Sequence, residues 1–400
     1  MQKFRILSGK CFSIPIIQRI PVFSKAIVPQ QVFRNSSKLI PIAVGTTFGA
    51  YSLLKMDPFS IGNMKPLLCE EVRYRGTEDD DTPVLDPLPA VTRPLFVYLC
   101  WSLFIGVWLS ALLAPAFVGI CLIKGWWDSL LTFMVIWLAG GLMSFPYTPQ
   151  FADIITSGIE SWFAKFKIHH EHLSAPVPFT SRSKPTIYCY HPHGLFSIGA
   201  GLLAANLVRR GEKVAIVTSS HMRWFNPVLK LLLDMAGIEI VGASPKEVRA
   251  AMAKGDRSLI LVIGGYEEAV LTKDGTENIF INNRLGFVKY AMRYNYTLTP
   301  VYAFGENDLY TCWDVAKGVR NYLAKWKIPV VFFRGNPWFP LLPIRTEDGM
   351  KIVVGEPLDV SLGREPTSAQ LLASHAHYVD QLVKLYNRNN ENKHRHLEIH

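Results

Sequence analysis

From Leu95 to Ile123 the chain carries no Asp, Glu, Lys or Arg. That is roughly 29 residues, against the ~20 that cross a hydrocarbon core. Lys124, Gly125 and Asp128 break the run. Ser129 to Tyr147 is a second uncharged stretch of roughly 19 residues. Trp126, Trp127 and Tyr147 suit the interfacial level where aromatic rings collect. Two apolar spans this close predict a tight membrane hairpin or a re-entrant pair, with both flanks on one side. Arg73, Arg75, Arg93, Lys165 and Lys167 flank it, which puts the flanks in the cytosol. A buried helical pair in a soluble core is the competing reading, and the lengths disfavour it.

The rest of the composition fits a membrane protein. Hydrophobic residues make up 49% and charged ones 18%, with mean hydropathy +0.17. The net charge of +10 favours anionic headgroups or phosphorylated ligands. There is no zinc-finger spacing and no aromatic RNA-binding signature, so nucleic acid is not a predicted partner. The cysteines at 11, 69, 100, 121, 189 and 312 are scattered, without a C-x-x-C, and read as reduced and packed.

Composition divides the chain into four parts. Residues 1–90 are a basic arm, free of acid until Asp57, followed by an acidic, proline-containing linker. The arm is read as lying on anionic lipid, with a cleaved organelle transit peptide as the alternative. Ile40 to Leu54 is a weak further membrane candidate. Residues 91–150 hold the hairpin. Residues 151–388 alternate strand and helix, and residues 389–400 form a polar tail expected to fray. Strands are predicted at Thr186–Tyr190, Val214–Thr218, Glu239–Gly242, Ser258–Ile263, Thr297–Phe304, Pro329–Arg334 and Lys351–Gly355. Helices are predicted near 195–210, 226–236, 245–254, 286–294, 314–326 and 367–388. Ser244, Pro245 and Glu247 mark one helix start as a capping box. Such alternation predicts an α/β fold with a mostly parallel sheet flanked by helices.

Reactive side chains in such sheets gather at the carboxyl ends of the strands. Tyr190-His191-Pro192-His193-Gly194 stands at one of these ends. Pro192 fixes its own φ and Gly194 lets the chain turn sharply. The following helix is expected to aim its N–H groups at the same spot. Other strand ends carry Gly264-Gly265-Tyr266-Glu267-Glu268, Phe304-Gly305-Glu306-Asn307-Asp308 and His221-Met222-Arg223. Arg284 and Gly286, in Asn283-Arg284-Leu285-Gly286, open a helix where a phosphate could be gripped. Each turn alone is more often structural; their recurrence at strand ends points to a site.

A neutral histidine beside a carboxylate is a general base. In a basic membrane enzyme it suits a lipid hydroxyl attacking a thioester, with backbone N–H groups after Gly194 holding the oxyanion. The absence of a G-x-S-x-G elbow argues against an α/β-hydrolase. Two other readings compete. His169, His170, His172, His191 and His193 could bind a metal, but their spacing matches no zinc signature. A non-enzymatic, acyl-CoA-binding membrane scaffold would leave the strand-end motifs without a role.

The order Y-H-P-H-G (190–194), I-G-G-Y-E-E-A (263–269), R-L-G-F (284–287), P-V-Y-A-F-G-E-N-D (300–308), V-V-G-E-P-L (353–358) and P-T…H-x-x-Y (366–378) resembles the type-2 diacylglycerol acyltransferase family. That family includes monoacylglycerol and wax-alcohol acyltransferases. The resemblance implies acyl transfer from acyl-CoA to diacylglycerol at the endoplasmic reticulum membrane, with lipid-droplet association. It implies His193 as base and His191 as its motif partner, and it matches Glu268 to the family's acid after the double glycine; Glu268 is our choice of helper acid. Pro192, Gly194, Arg223, Gly264, Gly265, Arg284, Gly286, Glu306, Asn307 and Asp308 become substrate-binding candidates. No metal and no cofactor are called for; acyl-CoA is a co-substrate. Homo-oligomer formation is left open. Leu285 stands where the family usually has Lys, which removes one charge from a CoA contact. Phe166-Lys167-Ile168-His169-His170 replaces a Tyr-Phe-Pro-like signature.

Overall fold

The computed structural model describes residues 93–171, 184–273, 275–313, 315, 318–320, 322, 330–360, 362, 364–392 and 394–400. The basic arm, the acidic linker, the apolar stretch at 40–54 and His172 lie outside the described residues, as does most of the helix expected at 314–326.

Helix α1 (Arg93–Lys124) contains Pro115. Its axis bends by 45° between Leu95–Ala111 and Leu113–Lys124. Proline has no N–H for the carbonyl four residues back, and its ring crowds that carbonyl. The bend therefore falls one turn before Pro115. Helix α2 (Trp127–Leu142) is shorter, because Met143 turns extended. Among the described residues no single helix is long and apolar enough to cross a membrane; a bent pair, the two arms of α1, fits by length and composition. The two apolar stretches expected to form a hairpin or re-entrant pair are thus one bent helix and one shorter apolar helix.

Helix α3 (Pro149–Glu160) lies against the first arm of α1. Gly158 makes this possible: a Cβ there would sit 2.2 Å from Cys100 Sγ. Beyond α3, elements alternate. They are β1 (Phe166–His170), β2 (Thr186–His191), α4 (Ile198–Arg209), β3 (Val214–Thr218), α5 (Ser220–Phe225), α6 (Pro227–Met235), β4 (Ile238–Gly242), α7 (Pro245–Lys254), β5 (Ser258–Val262), α8 (Gly265–Leu271), β6 (Glu277–Ile279), α9 (Gly286–Tyr294) and β7 (Thr297–Phe304). A 3-10 turn (Glu306–Leu309) follows, then β8 (Thr311–Trp313), β9 (Phe332–Arg334), β10 (Met350–Val354), β11 (Leu358–Asp359), α10 (Ser368–Asn389) and β12 (Leu397–Ile399).

The main sheet runs β1-β10-β7-β2-β5-β3-β4, with β11 beside β7. Strands β7, β2, β5, β3 and β4 are parallel. Strands β10 and β11 run antiparallel to β7. Every residue of β2 is buried, as expected of a central strand covered on both faces. Tyr188 and Tyr190 face the layer of α1, α3 and α4. Ile187 and Cys189 face the layer of α9 and α10, following the period-two alternation of a strand.

Two local expectations change. Ser244 caps α7 by accepting from Glu247 N–H, but the box does not close. The Glu247 carboxylate instead takes the hydroxyls of Ser220 and Ser244 and pairs with Arg223. A closed capping box does form at Thr367 and Gln370. The polar tail is also not frayed. Strand β12 pairs in parallel with β6, and Arg395 bridges Glu277 and Asp308.

Candidate active site

His191 ends β2, and β2 lies between β5 and β7. The turns after those two neighbours are Gly264–Glu268 and Gly305–Asp308. Topology therefore brings three of the sequence motifs to one place on the carboxyl edge.

His193 is half-buried. Its Nδ1 lies 2.8 Å from the Gly194 carbonyl. A carbonyl only accepts, so Nδ1 carries the hydrogen and Nε2 keeps the lone pair. Ser197 Oγ, 3.3 Å from Nδ1, donates to the His193 carbonyl at 2.8 Å. No described residue hydrogen-bonds to Nε2. Burial lowers the imidazole pKa, and the Gly194 bond opposes this only in part. The ring is neutral at physiological pH, with its basic nitrogen open.

Two buried carboxylates pin the backbone around this ring. Glu268 accepts from His193 N–H and, at 3.0 Å, from Phe280 N–H. It touches the main chain of His193, not the imidazole. Gly264 must be glycine here, since a Cβ would lie 1.9 Å from the Glu268 carboxylate. Glu306 accepts from Tyr190 OH at 2.6 Å and from Ile198 and Gly199 N–H at 2.9 Å each. Burial pushes both carboxyls up to about 7. A Cβ on Gly194 would lie 2.6 Å from Glu306 Cγ. The N-terminal N–H groups of α4, expected to hold an oxyanion, are thus occupied by Glu306. The N–H groups of Gly194, Leu195 and Phe196 have no partner among the described residues.

His191 is fully buried, and burial lowers its pKa to about 3. Its Nε2 lies 3.1 Å from Tyr378 OH of α10, and its Nδ1 has no partner. Pro192 is buried and joined to His191 by a cis peptide. Asn307 Nδ2 donates to Thr276 O at 2.9 Å, and Asp308 accepts from Gly275 N–H at 3.3 Å. Both tie the 3-10 turn to the segment before β6. Arg284 pairs with Glu267 and reaches Gly264 O, at the rim beside the Gly-Gly turn. Gly265 has φ +60, and Gly286 opens α9. Arg223 does not join the cluster; it follows β3, beyond β5, and pairs with Glu247. Among the described residues no three His, Cys, Asp or Glu side chains converge on a metal position.

Sequence reasoning gave no role to Tyr190 or Ser197. Tyr190 stood in the motif itself, but only the sheet pairing points its hydroxyl at Glu306. Ser197 adopts φ 50 without being glycine, which no local pattern announces.

These features define an α/β protein with two neutral imidazoles, His191 and His193, at the carboxyl edge of a mostly parallel sheet. The chain belongs to the diacylglycerol acyltransferase family, whose model matches residues 146–399. It is 32% identical over 221 residues to diacylglycerol O-acyltransferase 1 of Schizosaccharomyces pombe, covering 51% of this chain and 63% of that one. It is 34% identical to diacylglycerol O-acyltransferase 2 of Dictyostelium discoideum, covering 51% and 66%. To 2-acylglycerol O-acyltransferase 1 of Mus musculus it is 30% identical, covering 50% and 64%. The chain therefore spans less than two thirds of the length of these relatives.

Proposed function

We propose that this chain moves a fatty acyl group from acyl-CoA to the free hydroxyl of diacylglycerol, forming triacylglycerol. The observation that carries the reading is the His193 ring, held through Nδ1–H by the Gly194 carbonyl with Nε2 open. Nε2 removes the hydroxyl proton as the oxygen attacks the thioester carbon. The N–H groups of Gly194, Leu195 and Phe196 are the donors available for the oxyanion. The tetrahedral intermediate collapses, the carbon–sulfur bond breaks, and the CoA thiolate takes the proton back from His193. Glu268 and Glu306 position the loop, and Arg284 at the rim suits a CoA phosphate.

The exposed apolar sides of α1 and α2 support a membrane location, which this reading assigns to the endoplasmic reticulum, with lipid droplets as a further site. Monoacylglycerol is the second acceptor considered, because a 2-acylglycerol O-acyltransferase is among the similar proteins. The test supplies labelled oleoyl-CoA with diacylglycerol, monoacylglycerol or hexadecanol to membranes from a lipid-poor host. Label entering triacylglycerol with the wild type but not with His193→Ala is the expected result. Transfer unchanged by His193→Ala would remove the base, and no transfer to any acceptor would favour a binding protein.

A further inference from the structure

The segment from Gly335 to Ile344 contains no charged residue, and Arg334 and Arg345 bracket it. At its tip Trp338 is 87% exposed, Phe339 57% and Leu341 41%. This is not a loose loop. Asn336 Oδ1 accepts from Trp338 N–H at 3.0 Å, Gly335 N–H donates to Pro340 O at 2.8 Å, and Asn336 N–H to Leu342 O at 2.7 Å. A rigid turn that holds an indole in water contributes nothing to the core by that ring, and such a surface marks an interaction.

Its neighbour indicates the partner. Phe339 packs on Tyr98 of α1, with centroids 5.7 Å apart. Tyr98 adjoins a stripe of exposed leucines on α1, Leu95, Leu99 and Leu103, at 65%, 58% and 43%. The loop and the first turns of α1 thus form one continuous apolar surface. Helix α1 begins at Arg93. Tyr98 is five residues further on, about 7.5 Å along the axis at ~1.5 Å per residue. Interfacial anchors sit about 5–10 Å into the headgroup boundary. Both bracketing arginines are exposed, the placement in which guanidinium groups meet lipid phosphates while the rings lie below.

We infer that residues 336–342 are a second membrane anchor, seated in the interface beside the first turns of α1. The inference rests on the reading of α1 and α2 as membrane-embedded. It fixes the tilt of the α/β domain, since a helix and a separate loop define a plane where one helix defines only an axis. A second copy of the chain is a poorer occupant. Two-fold pairing through this patch would bring the same bracketing arginines of both copies together.

The test uses the full chain in vesicles of phosphatidylcholine and phosphatidylserine. The described cysteines are buried, and Cys11→Ser with Cys69→Ser removes the other two. An environment-sensitive dye is placed on Trp338→Cys, or on Leu138→Cys in α2 as reference. The expected result is blue-shifted emission from both positions, with Trp338→Cys quenched most by shallow spin-labelled lipid and protected from iodide. If only the Leu138→Cys dye is quenched by lipid, while Trp338→Cys stays open to iodide, the anchor is wrong and the membrane reading stands. If neither dye meets lipid, both fail. Dye-to-dye transfer between copies at Trp338→Cys would assign the loop to self-association and overturn the inference.

Discussion

The carboxyl edge of the sheet and the pair α1–α2 treat polarity in opposite ways. At the sheet edge, His191, Glu268 and Glu306 are at most 3% exposed. Both carboxylates end on main-chain N–H groups, and His191 on a tyrosine hydroxyl. In α2 no residue is buried at all, and Leu131, Leu138 and Leu142 are exposed by more than 60%. A buried charge is tolerable only where specific donors meet it. An apolar helix needs only a surrounding that is not water. The first region is specified by partners, the second by its solvent.

The largest expected effect breaks the first region. His193→Ala should cut acyl transfer by about 10²–10⁴-fold, while the urea midpoint reflects only the lost Nδ1–H bond to Gly194 O, worth about 1 kcal/mol. Next comes the second region. Leu138→Lys places a charge on the exposed apolar side of α2 and, under the proposed membrane location, should weaken membrane retention by about 3 kcal/mol, read by carbonate extraction. Loss of the urea transition with retention intact would instead place Leu138 in a protein interface.

Glu306→Gln keeps an acceptor but disturbs the three-donor arrangement. We expect a loss of about 1–3 kcal/mol of stability together with reduced transfer, because the His193 turn is no longer held. The same carboxylates give a pH dependence with a defined sign. Glu268 and Glu306 titrate at about 7 in the fold, against ~4.3 for an ordinary Glu. The folded state therefore holds more protons between these values, and its stability is full below the lower one. It falls as pH rises through about 7. Urea midpoints should be lower at pH 8 than at pH 5, and Glu306→Gln should flatten the slope. The smallest effect belongs to Tyr378→Phe. It removes one hydrogen bond to His191, worth about 1 kcal/mol, and should leave the acceptor preference unchanged.

Much of the fold was legible because it rests on local pattern. The parallel strands β2, β3, β4, β5 and β7 carry near-continuous apolar runs, and turns punctuate them. Strands β1, β6, β8, β11 and β12 were not legible. Each has five residues or fewer, and its partner is distant in sequence for all but β8, which pairs with the nearby β9. The tail looked frayed for the same reason: β6, Asp308 and the Ile281 and Asn282 N–H groups that order it lie far back in the chain. Within the site, the motifs themselves were visible, and so was their place at strand ends. Which N–H groups they serve was not.

The sequence by itself determined the apolar helices, the alternation and the place of the histidine motif at a strand end, because charge, period and turn chemistry are written residue by residue. Tertiary structure alone decided that Glu268 grips the backbone and not the imidazole, and that Glu306 takes the helix end expected to face substrate. It also decided that Arg223 lies apart from the cluster. Those outcomes depend on which strands become neighbours of β2, and that order comes from packing both faces of one sheet, not from any single stretch of chain.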